Sequence, residues 1–250
     1  MPAKVGFLKT FKEFIAEGIN DSGKFHAIFM AGTPGAGKSY TIKQLAGTIS
    51  PRVVNTDRFV EFMADKNGHQ LKGEAINSFW KANKDKAFHL NRTALRGYLN
   101  GMLPLFIDGT SSDINNLMVR SGTLESLGYD VGMIFVNTSF DTAVKRVANR
   151  KRDVDHEVIE MAYKLADENK KFYRDKFDFF IEINNDHNEL TDEILLEAYR
   201  KTARFFAAPV KNPIGRRSLE KLENEKEKEL VPTIIKLDEL DKKLSTWYVD

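Results

Sequence analysis

The fold of this chain is decided by the stretch Gly32-Thr33-Pro34-Gly35-Ala36-Gly37-Lys38-Ser39, which spells the phosphate-binding motif G-x-x-x-x-G-K-S. The residues before it, Phe25 to Ala31, are an apolar run that predicts a buried strand. The residues after it, Ser39 to Ala46, have the spacing of an amphipathic helix. A strand, a glycine turn and a helix N-terminus are the context that this motif requires, so the stretch predicts a P-loop.

Each part of the predicted loop has a role toward a nucleoside triphosphate. The glycines let backbone N–H groups wrap a polyphosphate, and the helix dipole favours its negative charge. We expect Lys38 to reach the β- and γ-phosphates and the Ser39 hydroxyl to bind Mg²⁺. ATP and Mg²⁺ are therefore the predicted cofactors, and the predicted nucleotide contacts are Gly32, Thr33, Pro34, Gly35, Ala36, Gly37, Lys38, Ser39 and Tyr40.

The composition narrows the class of protein. A hydrophobic content of 42% with 30% charged residues is ordinary for a globular protein. The net charge of +2 is close to neutral, so any groove for nucleic acid must be local. The absence of cysteine excludes disulfides, thiolate metal sites and cysteine nucleophiles. No apolar run is long enough to span a bilayer and no secretory signal is evident, so we expect a cytoplasmic location.

Five predicted strands alternate with helical stretches, which favours an α/β fold with a parallel sheet and helices on both of its faces. The third strand ends in a carboxylate, Asp108, in the Walker B pattern that supports Mg²⁺. Ligands of such sheets bind at the carboxyl ends of the strands, so we expect Asp108 and Ser39 to lie together as metal ligands. The predicted strands are Phe25–Ala31, Arg52–Thr56, Leu103–Asp108, Val131–Val136 and Phe177–Ile183.

The sequence divides into four parts. Residues 1–23 form an amphipathic segment, and residues 24–206 form the P-loop domain, with a long helical insert from Asp57 to Gly101 and a closing helix over Leu190–Phe206. Residues 207–217 read as a linker, because two prolines and a glycine interrupt it. Residues 218–250 form a charged helical tail. Its apolar stripe either packs on the domain or mediates contact with a partner or self-association.

Two features favour a kinase over other P-loop proteins. Asp57 follows the second strand, where a carboxylate can orient or deprotonate an acceptor hydroxyl, so we predict it to be a catalytic residue with Lys38. Arg146 and Arg150 lie four residues apart on one helix face after the fourth strand. We predict a lid in which Arg146 binds the nucleotide and Arg150 stabilises charge on the transferring phosphoryl group.

The insert carries several cations beside its apolar stripe, which includes Trp80. A solvated helix face explains any single one of them. As a group they predict a site for an anionic acceptor, for which Arg92 and Arg96 are candidates together with Arg58 and Thr110.

The chain resembles the P-loop kinases that include the kinase domain of phage polynucleotide 5′-kinase and the zeta-toxin-like kinases. The resemblance runs from about Lys24 to Asn185. It is carried by the P-loop, by Asn55-Thr56-Asp57, by Ile107-Asp108-Gly109-Thr110, and by Lys145-Arg146 with Arg150. It implies a sheet in the order 2-3-1-4-5, Asp57 as general base and Arg150 as lid arginine.

One position departs from the polynucleotide kinases, which carry an arginine three residues after the catalytic aspartate to hold the acceptor phosphate. Val60 stands there in this chain, and Arg58 is a candidate substitute. The acceptor is accordingly predicted as the hydroxyl of a nucleic-acid 5′ end or of a nucleotide-like molecule. The alternatives are a zeta-like nucleotide-sugar kinase and an ATP-binding structural protein. An AAA-type ATPase is disfavoured because Gly109, not a second acid, follows Asp108.

The N-terminus has a weaker resemblance to the capsid-targeting peptides of internal head proteins in tailed phages. Those peptides end at an Ile/Leu-x-Glu site that a prohead protease cuts, and Ile15-Ala16-Glu17 before Gly18 fits it. The resemblance implies a phage origin and packaging in a virion head. The alternative is a short amphipathic helix that docks on the domain through Phe7, Phe11, Phe14 and Ile15.

Deletion of residues 1–17 separates these two accounts. A targeting peptide can be removed with little change in thermal unfolding, and a matching prohead protease then yields a product that starts at Gly18. A docked helix buries several aromatic side chains, each contributing about 1.5–3 kcal/mol. Its loss would lower the melting temperature by many degrees. A large drop in melting temperature without cleavage after Glu17 would contradict packaging.

Overall fold

The computed structural model describes residues 23–47, 50–66, 74–149, 156–186 and 191–225. These residues contain a five-stranded sheet in which every pairing is parallel and the order is β2-β3-β1-β4-β5. The strand order implied by the resemblance is therefore confirmed. The strands are β1 (His26–Ala31), β2 (Arg52–Val54), β3 (Leu105–Asp108), β4 (Asp130–Asn137) and β5 (Phe180–Asn184).

Helices connect the strands and follow the last one. The helices within the described ranges are α1 (Lys38–Leu45), α2 (Thr56–Lys66), α3 (Glu74–Asn100), α4 (Ile114–Ser126), α5 (Phe140–Ala148), α6 (His156–Lys176), α7 (Asp192–Ala207) and α8 (Pro213–Glu225). In this part of the chain no helix has both the length and the apolar character needed to cross a membrane.

The central strand of the sheet is β1, and side chains of helices pack on both of its faces. All six of its residues are buried, as expected for a strand covered by helices on both sides. Alternate side chains face opposite layers: Ala27 and Phe29 pack in a cluster with α3, α4 and α6, whereas Ile28 and Met30 pack with α1 and α7. The P-loop therefore follows a central strand whose residues are all buried.

Seven of the ten predicted strand boundaries differ from the observed ones, and four of these differences have a local cause. Phe25 has a positive φ of 56° and precedes β1. The second strand ends at Val54, because the Asn55 side chain already caps α2 through the Asp57 N–H. The third begins after Pro104, which has no N–H to donate to a ladder. The fifth begins at Phe180, because the Phe177 N–H still bonds to Tyr173 at the end of α6.

The predicted linker is partly helical. Pro213 is the first residue of α8, a position where its missing N–H costs nothing. The preceding turn is fixed to the sheet, since the N–H groups of Lys211 and Asn212 donate to the Asp130 carboxylate at 2.6 and 2.9 Å. Gly215 allows the close approach, because a Cβ there would lie 2.2 Å from the carbonyl oxygen of Gly128.

The predicted insert consists of two helices, α2 and α3. They pack on each other through an apolar cluster of Val60, Met63 and Ala87. Val60 is 2% exposed. The position at which the resembling kinases carry an acceptor-binding arginine therefore faces the helix pair in this protein.

Three predicted features lie outside the described residues: the targeting peptide, Arg150 and the apolar stripe of the tail.

His26 connects β1 to the C-terminal helices. Its Nδ1 lies 2.8 Å from the Lys24 carbonyl oxygen, and its Nε2 lies 3.9 Å from an Asp130 carboxylate oxygen. The ring makes an edge contact with Phe205 of α7. Burial lowers the pKa of His26 below its ordinary value of 6.5, although the Lys24 carbonyl and the Asp130 carboxylate oppose the shift.

This lowered pKa predicts an acid-sensitive contribution to stability. The unfolded chain binds the His26 proton more readily than the folded one, so the contribution is complete above about pH 6.5 and is lost as the pH falls toward the folded pKa. We expect the melting temperature of His26→Asn to fall less steeply between pH 7 and pH 5 than that of the unmodified protein. The slopes are compared, because the substitution also removes the ring contact. Equal slopes would contradict the prediction.

Candidate active site

The P-loop lies between β1 and α1 at the carboxyl edge of the sheet. Gly37 caps α1 with a φ of 94°, in the left-handed region that glycine adopts without strain. The Lys38 ammonium donates hydrogen bonds to the carbonyl oxygens of Gly32 and Thr33 at 2.8 and 2.9 Å. The Lys38 side chain therefore lies across the loop that is predicted to bind the polyphosphate.

The loop is pressed against two neighbours. A Cβ at Gly35 would lie 2.4 Å from the carbonyl oxygen of Ala143 in α5, and one at Gly37 would lie 2.1 Å from the Asn185 Nδ2. Asn185 is 6% exposed, and its amide donates to the Ala36 carbonyl oxygen at 2.6 Å. The residue that follows β5 thus fastens the middle of the P-loop.

Ser39 and Asp108 come together as predicted. The Ser39 hydroxyl donates to Asp108 Oδ2 at 3.2 Å, and the Asn55 amide donates to the same oxygen at 2.7 Å. Within the described ranges no three His, Asp or Glu side chains gather into a metal cluster. A hydroxyl and a carboxylate oxygen are hard donors that fit Mg²⁺, which characteristically takes its remaining ligands from water and phosphates.

Asn55 joins the two acidic residues of the site. Its Nδ2 donates to Asp108, while its Oδ1 accepts the Asp57 N–H at 2.8 Å as the cap of α2. Both bonds use the amide in a single orientation, since only the NH₂ group can donate to a carboxylate. Asp57 is exposed at the first turn of α2, and Trp80 Nε1 of α3 donates to its Oδ1 at 3.0 Å.

Arg146 points toward the P-loop from α5. Its Nη1 would lie 3.8 Å from a Cβ on Gly37, and this nitrogen is buried without a hydrogen-bond partner. A buried guanidinium nitrogen that lacks an acceptor costs free energy, which an anionic ligand beside the loop would recover. This geometry fits the predicted nucleotide contact, whereas Arg150 lies outside the described residues.

Thr110 belongs to the loop that follows β3. Its carbonyl oxygen accepts the Gly32 N–H at 3.2 Å, and its hydroxyl pairs with that of Ser112. Two α6 side chains hold the same loop: Asn169 donates to the Ser112 carbonyl oxygen at 2.8 Å, and the Tyr173 hydroxyl donates to that of Ser111. Thr110 is therefore fixed beside the start of the P-loop.

The other candidate residues are less closely assembled. Tyr40 is 50% exposed on the first turn of α1. Arg92 and Arg96 lie one turn apart on α3, both half-buried. Arg58 is close to Tyr98 of α3: burial raises the pKa of this tyrosine, and the positive charges of Arg52 and Arg58 oppose the shift. Arg58 stays a predicted acceptor contact.

Three site residues lack a predicted role in the sequence analysis. Asn55 was part of a motif, but its bridge between Asp57 and Asp108 depends on where β2 and β3 end. The helical spacing places Trp80 in the apolar stripe, and this spacing does not indicate that the Trp80 N–H reaches Asp57. In the sequence, Asn185 only marks the end of the stretch that resembles the P-loop kinases. A polar residue directly after a strand was the one available signal, because strand ends in a parallel sheet share an edge.

Comparison with known families places the chain. The sequence model of a family described as an AAA domain (AAA_33) matches residues 28–168, more than half of the chain, and the protein belongs to this family. The domain has the P-loop between β1 and α1 and the strand order β2-β3-β1-β4-β5. The expectation against an AAA-type ATPase, for which Gly109 after Asp108 was the reason, concerns the reaction and stays a prediction. No curated protein matches the chain.

Several solved structures are similar in fold. One, a Chloroflexus aurantiacus protein whose kinase description is itself provisional, has 15% identity and a TM-score of 0.49, and the match covers 71% of this chain and 98% of that one. A gluconokinase from Sinorhizobium meliloti has 14% identity and a TM-score of 0.43, with 73% and 94% covered. A shikimate kinase from Acinetobacter baumannii has 13% identity and a TM-score of 0.41, with 73% and 93% covered.

The contact of Gly35 with α5 yields a prediction about the loop. Gly35→Ala adds a Cβ against the Ala143 backbone at a φ of +90°, so we expect a destabilisation of more than about 1 kcal/mol and weaker ATP binding. The matched control is Gly122→Ala in α4, where a Cβ meets nothing within 4 Å and should stabilise by about 0.5–1 kcal/mol. Thermal unfolding and calorimetric ATP titration measure both effects. A Gly35→Ala protein as stable as Gly122→Ala would refute the prediction.

Proposed function

We propose that this protein is an ATP-dependent kinase that transfers the γ-phosphate to the hydroxyl of a nucleic-acid 5′ end or of a nucleotide-like molecule. The observation that carries the proposal is the hydrogen-bonded series from Ser39 through Asp108 and Asn55 to Asp57. It fixes a second acidic residue at a defined place beside the phosphate loop. A P-loop that only binds nucleotide has no need of that residue.

The proposed reaction assigns a part to each group. The acceptor oxygen forms a bond to the γ-phosphorus while the bond from this phosphorus to the β,γ-bridging oxygen breaks, and ADP leaves with that electron pair. The proton of the acceptor hydroxyl passes to the Asp57 carboxylate. Lys38 and Arg146 neutralise phosphate charge, and Arg150 is proposed to act from the lid. Ser39 and Asp108 would hold Mg²⁺, which neutralises charge on the phosphates when bound.

Phosphoryl transfer needs little covalent assistance, and this site supplies what it does need. The P-loop backbone and Lys38 orient one substrate, whereas Asp57 stands on a different element and faces the other. The Asn55 amide joins the start of α2 to Asp108, and Asp108 in turn accepts the Ser39 hydroxyl at the end of the P-loop. In the proposed reaction, the groups that align the two reactants are therefore joined to each other before either reactant binds.

The runner-up is ATP hydrolysis or ATP-dependent assembly, which the AAA description of the family favours. In hydrolysis Asp57 would orient water instead of an organic hydroxyl. A nucleotide-sugar kinase is a third outcome.

One assay separates these three activities: labelled ATP is offered with 5′-hydroxyl DNA, 5′-hydroxyl RNA, nucleoside monophosphates and nucleotide sugars. Label on an acceptor supports a kinase, whereas acceptor-independent release of phosphate supports an ATPase. Lys38→Ala is the inactive control for both.

Asp57→Asn tests the proposed base directly. The substitution keeps the size of the side chain and a hydrogen-bond acceptor for Trp80 but removes the proton acceptor. We expect ATP affinity to be unchanged and transfer to fall by about 10²–10⁴. Calorimetric ATP binding and single-turnover transfer of labelled phosphate measure the two quantities. Normal transfer by a folded Asp57→Asn protein would mean that the base lies elsewhere and would remove the main support for the proposal.

A further inference from the structure

Helix α3 reaches the proposed base through two side chains. Trp80 Nε1 donates to Asp57 Oδ1 at 3.0 Å, and Asn91 Nδ2 donates to Thr56 Oγ1 at 3.0 Å. The residues that receive these bonds are adjacent, whereas their donors are eleven positions apart, or about 16 Å along a helix axis. The Trp80 indole must therefore extend along α3 to meet the carboxylate.

Packing fixes the ring in this position. Trp80 and Phe79 contact the apolar cluster of Val60, Met63 and Ala87 that joins α2 to α3. A half-buried indole that contacts this cluster loses most of its rotamer freedom when the protein folds. Its N–H is therefore already directed at Asp57 before any substrate binds.

The carboxylate needs such a partner. Asp57 is exposed at the first turn of α2, and its backbone is held by Asn55, but an exposed aspartate side chain rotates about χ1 and χ2 unless a bond holds it. A donor on one oxygen fixes the plane of the carboxylate.

We propose that Trp80 is a positioning residue for Asp57: it holds Oδ1 so that the carboxylate is presented to the acceptor hydroxyl in one orientation. The inference rests on the proposed function. It gives the inserted helix α3 a part in catalysis without contact between Trp80 and the reacting atoms. The contact depends on a single N–H, so a ring that lacks this group should keep the packing and lose the orientation.

The test compares Trp80→Phe with Phe79→Leu. Trp80→Phe keeps an aromatic ring in the cluster and removes the N–H, so we expect kcat to fall by about ten- to a hundredfold, the scale of one hydrogen bond to a charged group. The KM for ATP should stay unchanged. Phe79→Leu alters the same cluster and keeps both partners of the Trp80–Asp57 hydrogen bond, so its kcat should equal that of the unmodified protein.

A second measurement does not depend on activity. The chain has two tryptophans, so Trp247→Phe leaves Trp80 as the source of a single indole N–H signal in a ¹⁵N–¹H spectrum. In that background Asp57→Ala should move the signal upfield, because the hydrogen bond is lost, and Phe79→Leu should leave it in place.

The outcomes separate the two proposals. Full transfer by Trp80→Phe while Asp57→Asn is inactive would overturn the positioning role and leave the kinase assignment intact. An indole signal unchanged by Asp57→Ala would also overturn it. Full transfer by Asp57→Asn would overturn the proposed base and the positioning role together.

Discussion

The close approach of the P-loop to its neighbours is the constraint on which the site depends. Gly35 touches the backbone of Ala143, and Gly37 touches the amide of Asn185, at distances that leave no room for a Cβ. These contacts bring α5 and the end of β5 against the loop. They place Arg146 beside it, with a buried nitrogen that has no hydrogen-bond acceptor. The loop is thus shaped by parts of the chain more than a hundred residues away.

The Asn55 amide extends that order to the second half of the site. It binds Asp108 with its NH₂ group and caps α2 with its oxygen, so the end of β2 and the start of α2 are fixed to the end of β3. Asp57 acquires a defined position as a result. Its carboxylate then receives the Trp80 N–H from α3, which makes the insert a structural part of the site. The two helices of the insert are themselves joined by an apolar cluster that includes Val60, so this pair supports the proposed base and does not supply an arginine there.

The family description names a type of domain, whereas the proposed kinase activity names a reaction. The two are therefore compatible. The P-loop, the serine and the Walker B carboxylate are shared by P-loop enzymes that hydrolyse ATP and by those that transfer its γ-phosphate. What distinguishes transfer from hydrolysis is the nucleophile that stands before the γ-phosphate. Under the proposed function that choice depends on the space beside Asp57, and the positive charge of Arg58 acts on Tyr98 nearby. A kinase must align an organic hydroxyl there, and an aspartate held by Asn55 at its backbone N–H and by Trp80 at its carboxylate suits that task.

The sequence by itself determined the P-loop, the α/β class, the existence of all five strands and the pairing of Ser39 with Asp108, because each follows from a local pattern or from the shared edge of a parallel sheet. The strand order came from a resemblance. Only the tertiary structure decided the helical start at Pro213, which depends on bonds to Asp130, and the roles of Asn55, Trp80 and Asn185. Polar side chains such as these bond to groups far along the chain. Periodicity reports which face of an element is buried, and it does not report where a single N–H group finds its acceptor.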